Sequence, residues 1–117
     1  MDRQTQSIIN QYEEVFQKHD PAALAVLIDD DCILENTGPA PDGKRYEGKA
    51  ACIEFWSNLA KNTELQFDQE GVDILGDRAI VRWRLRWGEA KSQSVRGVNI
   101  MRVQDDKIVE ALGYVKA

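Results

Sequence analysis

At 117 residues with 43% hydrophobic side chains, the chain has the size of one domain with a core of its own, residues 1–117. Twenty acidic residues against fifteen basic ones give a net charge of −5, which repels phosphate backbones and anionic headgroups and excludes nucleic acid and membrane surfaces as partners. Two cysteines, Cys32 and Cys52, and a single histidine, His19, leave no basis for a disulfide framework or a histidine-rich metal site.

The chain opens MDRQTQSIIN, without an apolar leader, and no window reaches the ~20 apolar residues of a membrane span, so a cytoplasmic protein is expected. Ile8, Tyr12, Val15, Phe16 and His19 recur at three-and-four spacing with Ile9 beside them, which predicts an amphipathic helix over 3–19. Asp20-Pro21 ends it and starts a short second helix, because Asp20 can accept from orphan amides while Pro21 fills the first position, where no donor is needed. Leu24, Leu27 and Ile28 give that helix its buried side. His19, at the end of the first helix, is expected to cap it in a way that suits the helix dipole.

The stretch ILENTGPAPDGKRYEG, residues 33–48, begins strand-like, turns polar at Glu35, Asn36 and Thr37, and breaks at Pro39, Pro41 and Gly43. It is expected to be a strand end followed by a surface connection over 37–45, ordered by its prolines without hydrogen-bonded structure. A third helix is predicted over 48–61, where Cys52, Phe55, Trp56 and Leu59 share a stripe.

Residues 64–116 alternate in period two, with breaks at Gly76-Asp77, 88–92 and Asp105-Asp106, and predict a four-stranded antiparallel meander. Over 79–87, Ala79, Val81, Trp83, Leu85 and Trp87 face the helices and Ile80, Arg82, Arg84 and Arg86 face away. A two-residue turn at Gly76-Asp77 keeps the preceding strand in step only as far as Val72. A bulge at or beside Gly71 is therefore predicted, setting Phe67 opposite Leu85, Leu65 opposite Trp87, and Glu70, Asp68 and Gln66 opposite Arg82, Arg84 and Arg86. The inward positions later on are Gly97, Asn99, Met101, Val109, Ala111, Gly113 and Val115. Ile80, Val98, Ile100, Leu112 and Tyr114 make the outward face apolar enough to predict a homodimer through it. Helices first and strands last give an α+β class: three N-terminal helices packed on a strongly curved, mostly antiparallel, cone-like sheet.

Gln11-Tyr12, LIDDDCILEN at 27–36, YEGKAACIEFW at 46–56 and RGVNIMRVQDDKIVEALGYV at 96–115 together resemble the SnoaL-like branch of the nuclear-transport-factor-2-like cone, over nearly the whole chain. Compared with ketosteroid isomerase, a similar cone, the oxyanion-hole tyrosine falls on Tyr12, the second oxyanion donor on Asn99, and the proton-moving aspartate on Asn36. A carboxamide does not titrate in the useful range, and Glu35, next along the strand, points to the other face. The acid-arginine-acid relay of a limonene-epoxide-hydrolase-like site is not visible.

The resemblance implies isomerase, cyclase or lyase chemistry on a small apolar or carbonyl-containing molecule, with no metal or organic cofactor. Tyr12, Asn36 and Asn99 are the candidate catalytic residues, and Phe55, Trp56, Trp83 and Val115 the candidate substrate-binding ones. Asn99, a carboxamide in mid-strand among apolar positions, needs a partner: a ligand, a water or Tyr12. The alternative is a non-catalytic ligand-binding or protein-interaction module, with Tyr12 an ordinary core tyrosine and Asn36 a strand terminator.

Overall fold

The structure, a computed structural model, describes residues 2–116. The first apolar stripe forms helix α1 (Asp2–Gln17), burying Thr5, Ile8, Ile9, Tyr12, Val15 and Phe16. It stops short of the predicted end because His19 adopts a left-handed backbone, φ 52°. Asp20 N then donates to Val15 O at 3.0 Å and His19 N to Phe16 O at 3.4 Å, a Schellman closure. Asp20 Oδ1 accepts from Ala22 N at 3.0 Å, and Pro21 opens a 3-10 turn that runs into α2 (Leu24–Leu27), as the Asp-Pro step requires.

Strand β1 (Ile28–Glu35) follows without a loop, and a three-residue strand, β2 (Arg45–Glu47), pairs back on its end. Three residues carry too little alternation to register as a strand, so β2 falls inside what the sequence reads as connection and helix approach. Helix α3 (Lys49–Lys61) buries Cys52, Trp56 and Ala60. Cys52 Sγ donates to Cys32 O at 3.5 Å, tying α3 to β1, and both cysteines are buried and free.

His19 does not cap its own helix through its ring. Its Nδ1 lies 2.9 Å from the Ala60 carbonyl in the last turn of α3. A carbonyl only accepts, so Nδ1 carries the proton, and the ring satisfies a carbonyl that a helix end leaves without a partner.

The meander is β3 (Gln66–Leu75), β4 (Arg78–Trp87), β5 (Gln93–Gln104) and β6 (Lys107–Val115). It joins β1 and β2 in one six-stranded curved sheet, order β2-β1-β6-β5-β4-β3, in which only the β1–β6 pair is parallel. Phe67 faces Leu85 as predicted, and the register breaks between Gln69, opposite Trp83, and Gly71, opposite Arg82. Glu70 is thus the looped-out residue and does not face Arg82. It accepts from Arg84 Nε at 3.2 Å and Arg96 Nε at 2.8 Å. Leu65 lies before the strand begins, so it has no rung opposite Trp87.

A second bulge was not foreseen. Arg102 pairs with Glu110 but Val103 with Ile108, so Val109 is the extra residue and Ile108, not Val109, takes the fully buried inward place. Helix α1 lies across β3, β4 and β5, and α3 across β1 and β2, leaving a space between helices and sheet. No helix among the described residues is long and apolar enough to cross a membrane.

The His19 latch gives a stability test. His19→Ala is expected to lower the unfolding free energy by about 1 kcal/mol in urea titrations. An unchanged midpoint would mean that the ring leaves Ala60 to water at no cost.

Candidate functional site

The inward stripe of α1 stacks its aromatic residues edge to face. Tyr12 meets Phe16 at 5.0 Å and Trp56 at 5.4 Å between ring centroids, and Phe67 continues the series to Phe16 at 5.6 Å and to Trp83 at 5.9 Å. On the sheet side the side chains run out. Asn99 pairs with Gly113, where a methyl would stand 3.3 Å from Asn99 Oδ1 and 3.2 Å from the Glu35 carbonyl, so glycine keeps the room beside the amide open. The result is a mainly apolar cavity of about 110 Å³ between α1, α3, the end of β1 and the sheet. A single buried water needs only ~10–15 Å³, so the space suits a small organic molecule.

At its floor runs a directional chain of hydrogen bonds. Trp83 Nε1 donates to Asn99 Oδ1 at 3.2 Å, and Asn99 Nδ2 donates to the Tyr12 hydroxyl oxygen at 3.4 Å. An indole N–H can only donate, so the Asn99 oxygen must face Trp83 and its NH2 must face Tyr12. The Tyr12 oxygen is thereby used as acceptor, and its own proton has no acceptor among the described residues. Gly97, opposite Trp83 on β5, supports the arrangement, because a methyl there would come within 2.5 Å of the indole ring.

Tyr12 is 4% exposed. Burial, and the Glu13 charge beside it, push its phenol far above the ordinary value, against the opposing pull of hydrogen bonds from Asn99 and Trp56. The phenol therefore stays protonated as a donor.

The rim is the polar end of β1. Asn36 N donates to Lys44 O at 2.9 Å, Lys44 N to Gly38 O at 3.0 Å and Gly43 N to Pro39 O at 2.7 Å. The Pro/Gly connection is thus internally hydrogen-bonded, unlike the expectation, and it contains cis peptide bonds before Pro39 and Pro41. Gly43 has φ 76°, and a methyl on it would overlap the Asn36 carbonyl. The Asn36 side chain lines the cavity and makes no hydrogen bond among the described residues. Glu35 does point away, donating nothing and accepting from Arg45 Nη1 at 3.0 Å.

Tyr12, Asn36, Asn99, Phe55, Trp56 and Trp83 all line this one cavity. Val115 does not. It stands on the last rung opposite Gly97, where the Trp83 indole already fills the inward space, and it is 39% exposed.

The sequence reading missed Glu13. This carboxylate lines the cavity one residue from Tyr12 and has neither hydrogen bond nor ion pair among the described residues. Burial raises its pKa from an ordinary 4.5 to about 7. A signal was present, since Ile9, Glu13 and Phe16 fall at i, i+4 and i+7, which puts Glu13 on a face shared with two buried residues. With Tyr12 and Glu35 it completes the titratable groups of the lining, which holds no lysine or arginine. Among the described residues no three His, Cys, Asp or Glu side chains gather as metal ligands would.

A model of the SnoaL-like domain matches residues 9–111. The chain belongs to this family. Among solved structures, an NTF2-like protein of unknown function from Mesorhizobium loti is 52% identical, with a TM-score of 0.93 over 99% of this chain and 93% of that one. A steroid delta-isomerase from Pseudomonas aeruginosa, 16% identical, shares the fold at a TM-score of 0.80 over 97% of this chain and 80% of that one. A provisionally assigned polyketide cyclase from Sinorhizobium meliloti, 20% identical, does so at 0.75 over 92% and 93%. A comparison with curated proteins finds no match. The cone is thus the fold that these solved structures share.

Glu13 also leaves a thermodynamic mark. A carboxyl with a raised folded pKa binds its proton more tightly when folded, so stability is lost as pH rises from about 4.5 to about 7. Glu13→Gln is expected to leave stability unchanged below pH 4.5, and to raise it by roughly 1–3 kcal/mol above pH 7. Urea unfolding at pH 4 and pH 8 measures the difference, and equal effects at both would show an ordinary, solvated carboxylate.

Proposed function

We propose that the cavity binds a small, largely apolar organic molecule through its carbonyl oxygen, and that the protein is an isomerase, cyclase or lyase acting on it. The observation that carries this is the orientation of the hydrogen-bond chain. Trp83 fixes Asn99, Asn99 fixes Tyr12, and the one proton left over at the Tyr12 hydroxyl is offered to an acceptor in the cavity. A carbonyl oxygen is the acceptor that an apolar ligand most simply provides, and one developing negative charge there would be stabilised by the same donor. The free carboxamide of Asn36 at the rim supplies a second polar contact. A lining without lysine or arginine offers no counter-charge to a carboxylate or phosphate, which favours a ligand that is neutral at this end.

The test compares 2-indanone with indane, which has the same shape and no carbonyl, by quenching of tryptophan fluorescence. The ketone is expected to bind more tightly by roughly tenfold, about one charge-free hydrogen bond. Asn99→Leu is expected to erase that preference while still admitting indane. If the protein binds neither compound, the cavity is filled core and the proposal fails.

We also propose that the outward sheet face pairs with a second copy of the chain. Ile80, Ile100 and Leu112 stand on one rung across β4, β5 and β6, with Val98 and Tyr114 on the next. Ile80 is 37% and Tyr114 54% exposed, in a frame of arginines that already hold acidic partners on their own chain. Covering such a face is what an isologous dimer does. Light scattering at micromolar concentration is expected to give twice the chain mass, and Ile100→Asp to give the monomer.

A further inference from the structure

Resting on the proposal that the cavity is a small-molecule site, we propose that Glu13 is its proton-transferring residue, acting on a carbon next to the carbonyl that Tyr12 holds. The carboxylate reaches the task by elimination as well as by position. Asn36 and Asn99 are amides and exchange no proton in the useful range. Tyr12, buried and protonated, is a donor and not a base. Glu35 is the remaining titratable group of the lining, and its carboxylate is held outside by Arg45, which also holds Glu47 at 2.7 Å. His19 is spent on Ala60 and does not line the cavity. Glu13 alone among these residues lines the cavity with a carboxylate that no cation or hydrogen-bond donor of the described chain engages.

The chemistry follows from the two neighbours on α1 having opposite roles. Glu13 takes the proton from the carbon, the C–H bond breaks, and its electron pair becomes the new carbon–carbon double bond as the carbonyl π pair moves to oxygen. The enolate oxygen stays in the hydrogen bond of the Tyr12 hydroxyl, whose own oxygen is backed by Asn99 Nδ2 and, through Asn99, by Trp83. Glu13, now a carboxylic acid, returns the proton to carbon, either where it came from or elsewhere in the conjugated system. The carbonyl re-forms. Nothing is oxidised or reduced and no co-reactant is consumed, so the substrate class is a neutral ketone or ester with an acidic C–H beside its carbonyl. A cavity of about 110 Å³ is small enough for one such molecule to touch both groups at once. Burial without a counter-charge also places the Glu13 pKa near neutrality, where a general base is most effective.

The experiment follows deuterium uptake by 2-indanone in D2O by proton NMR, with binding measured in parallel by tryptophan fluorescence. The wild-type protein is expected to accelerate exchange, with a rate that rises with pH and levels off above about 7, as the carboxylate form accumulates. Glu13→Gln is expected to bind 2-indanone within about twofold of wild type and to lose exchange by at least about 100-fold, and Glu13→Asp to recover part of it. Bound 2-indanone that does not exchange, or exchange that survives Glu13→Gln, overturns the role of Glu13 and leaves the cavity as a binding site. No binding by the wild-type protein overturns the small-molecule proposal itself, and the role of Glu13 with it.

Discussion

The need to satisfy one partly buried carboxamide organises the interior. Asn99 sits in the middle of β5 among apolar neighbours, and an amide there is costly unless both of its ends are bonded. The indole of Trp83 and the phenol of Tyr12 meet that need from two different elements. In doing so they set the separation between α1 and the sheet. The glycines follow from the same constraint: Gly97 makes way for the indole and Gly113 leaves the amide uncovered. Helix, strand and void are consequences of one polar group placed where an apolar one would have closed the core.

The bulges do for the sheet what Asn99 does for the interior. Glu70 steps out of the ladder and its carboxylate joins Arg84 on β4 to Arg96 on β5, so a local irregularity becomes a tie across three strands. Val109 steps out of β6 and shifts the alternation by one residue, which places Ile108 in the core and Glu110 beside Arg78 at 2.7 Å. These ion pairs lie at the surface and each contributes little on its own. Their value is in holding the register that aims Asn99 inward.

The sequence carried the large features because they depend on periodicity. The stripe of α1, the alternation of β4 and the demand that Phe67 meet Leu85 are legible in one dimension, and they suffice for three helices and the meander. The residues of the cavity floor are legible too, since a lone asparagine in an apolar strand advertises an unmet need. Other features depend on where elements meet. His19 bonds a helix that is distant in sequence, and the Val109 bulge reverses an alternation that offers no glycine to mark it. Parity alone points Val115 inward, and parity does not know that an indole has taken the space. Glu13 follows a buried tyrosine on α1, and a charged residue at such a position draws no attention in one dimension. Its spacing from Ile9 and Phe16 hints at the inward face, and the packed elements show that it lines the cavity without a partner among the described residues.

The cavity is assembled from parts of different rigidity. Its floor is bonded through α1, β4 and β5, so no floor residue can change without disturbing two other elements. Its lip is a short connection that closes on itself through Gly38, Pro39, Gly43 and Lys44 and is bonded through its backbone to Asn36 at the end of β1. Sequence variation can therefore accumulate in the lip while the floor stays fixed. A lineage built on this plan can change which molecules it admits without relearning how to hold the atom at the bottom.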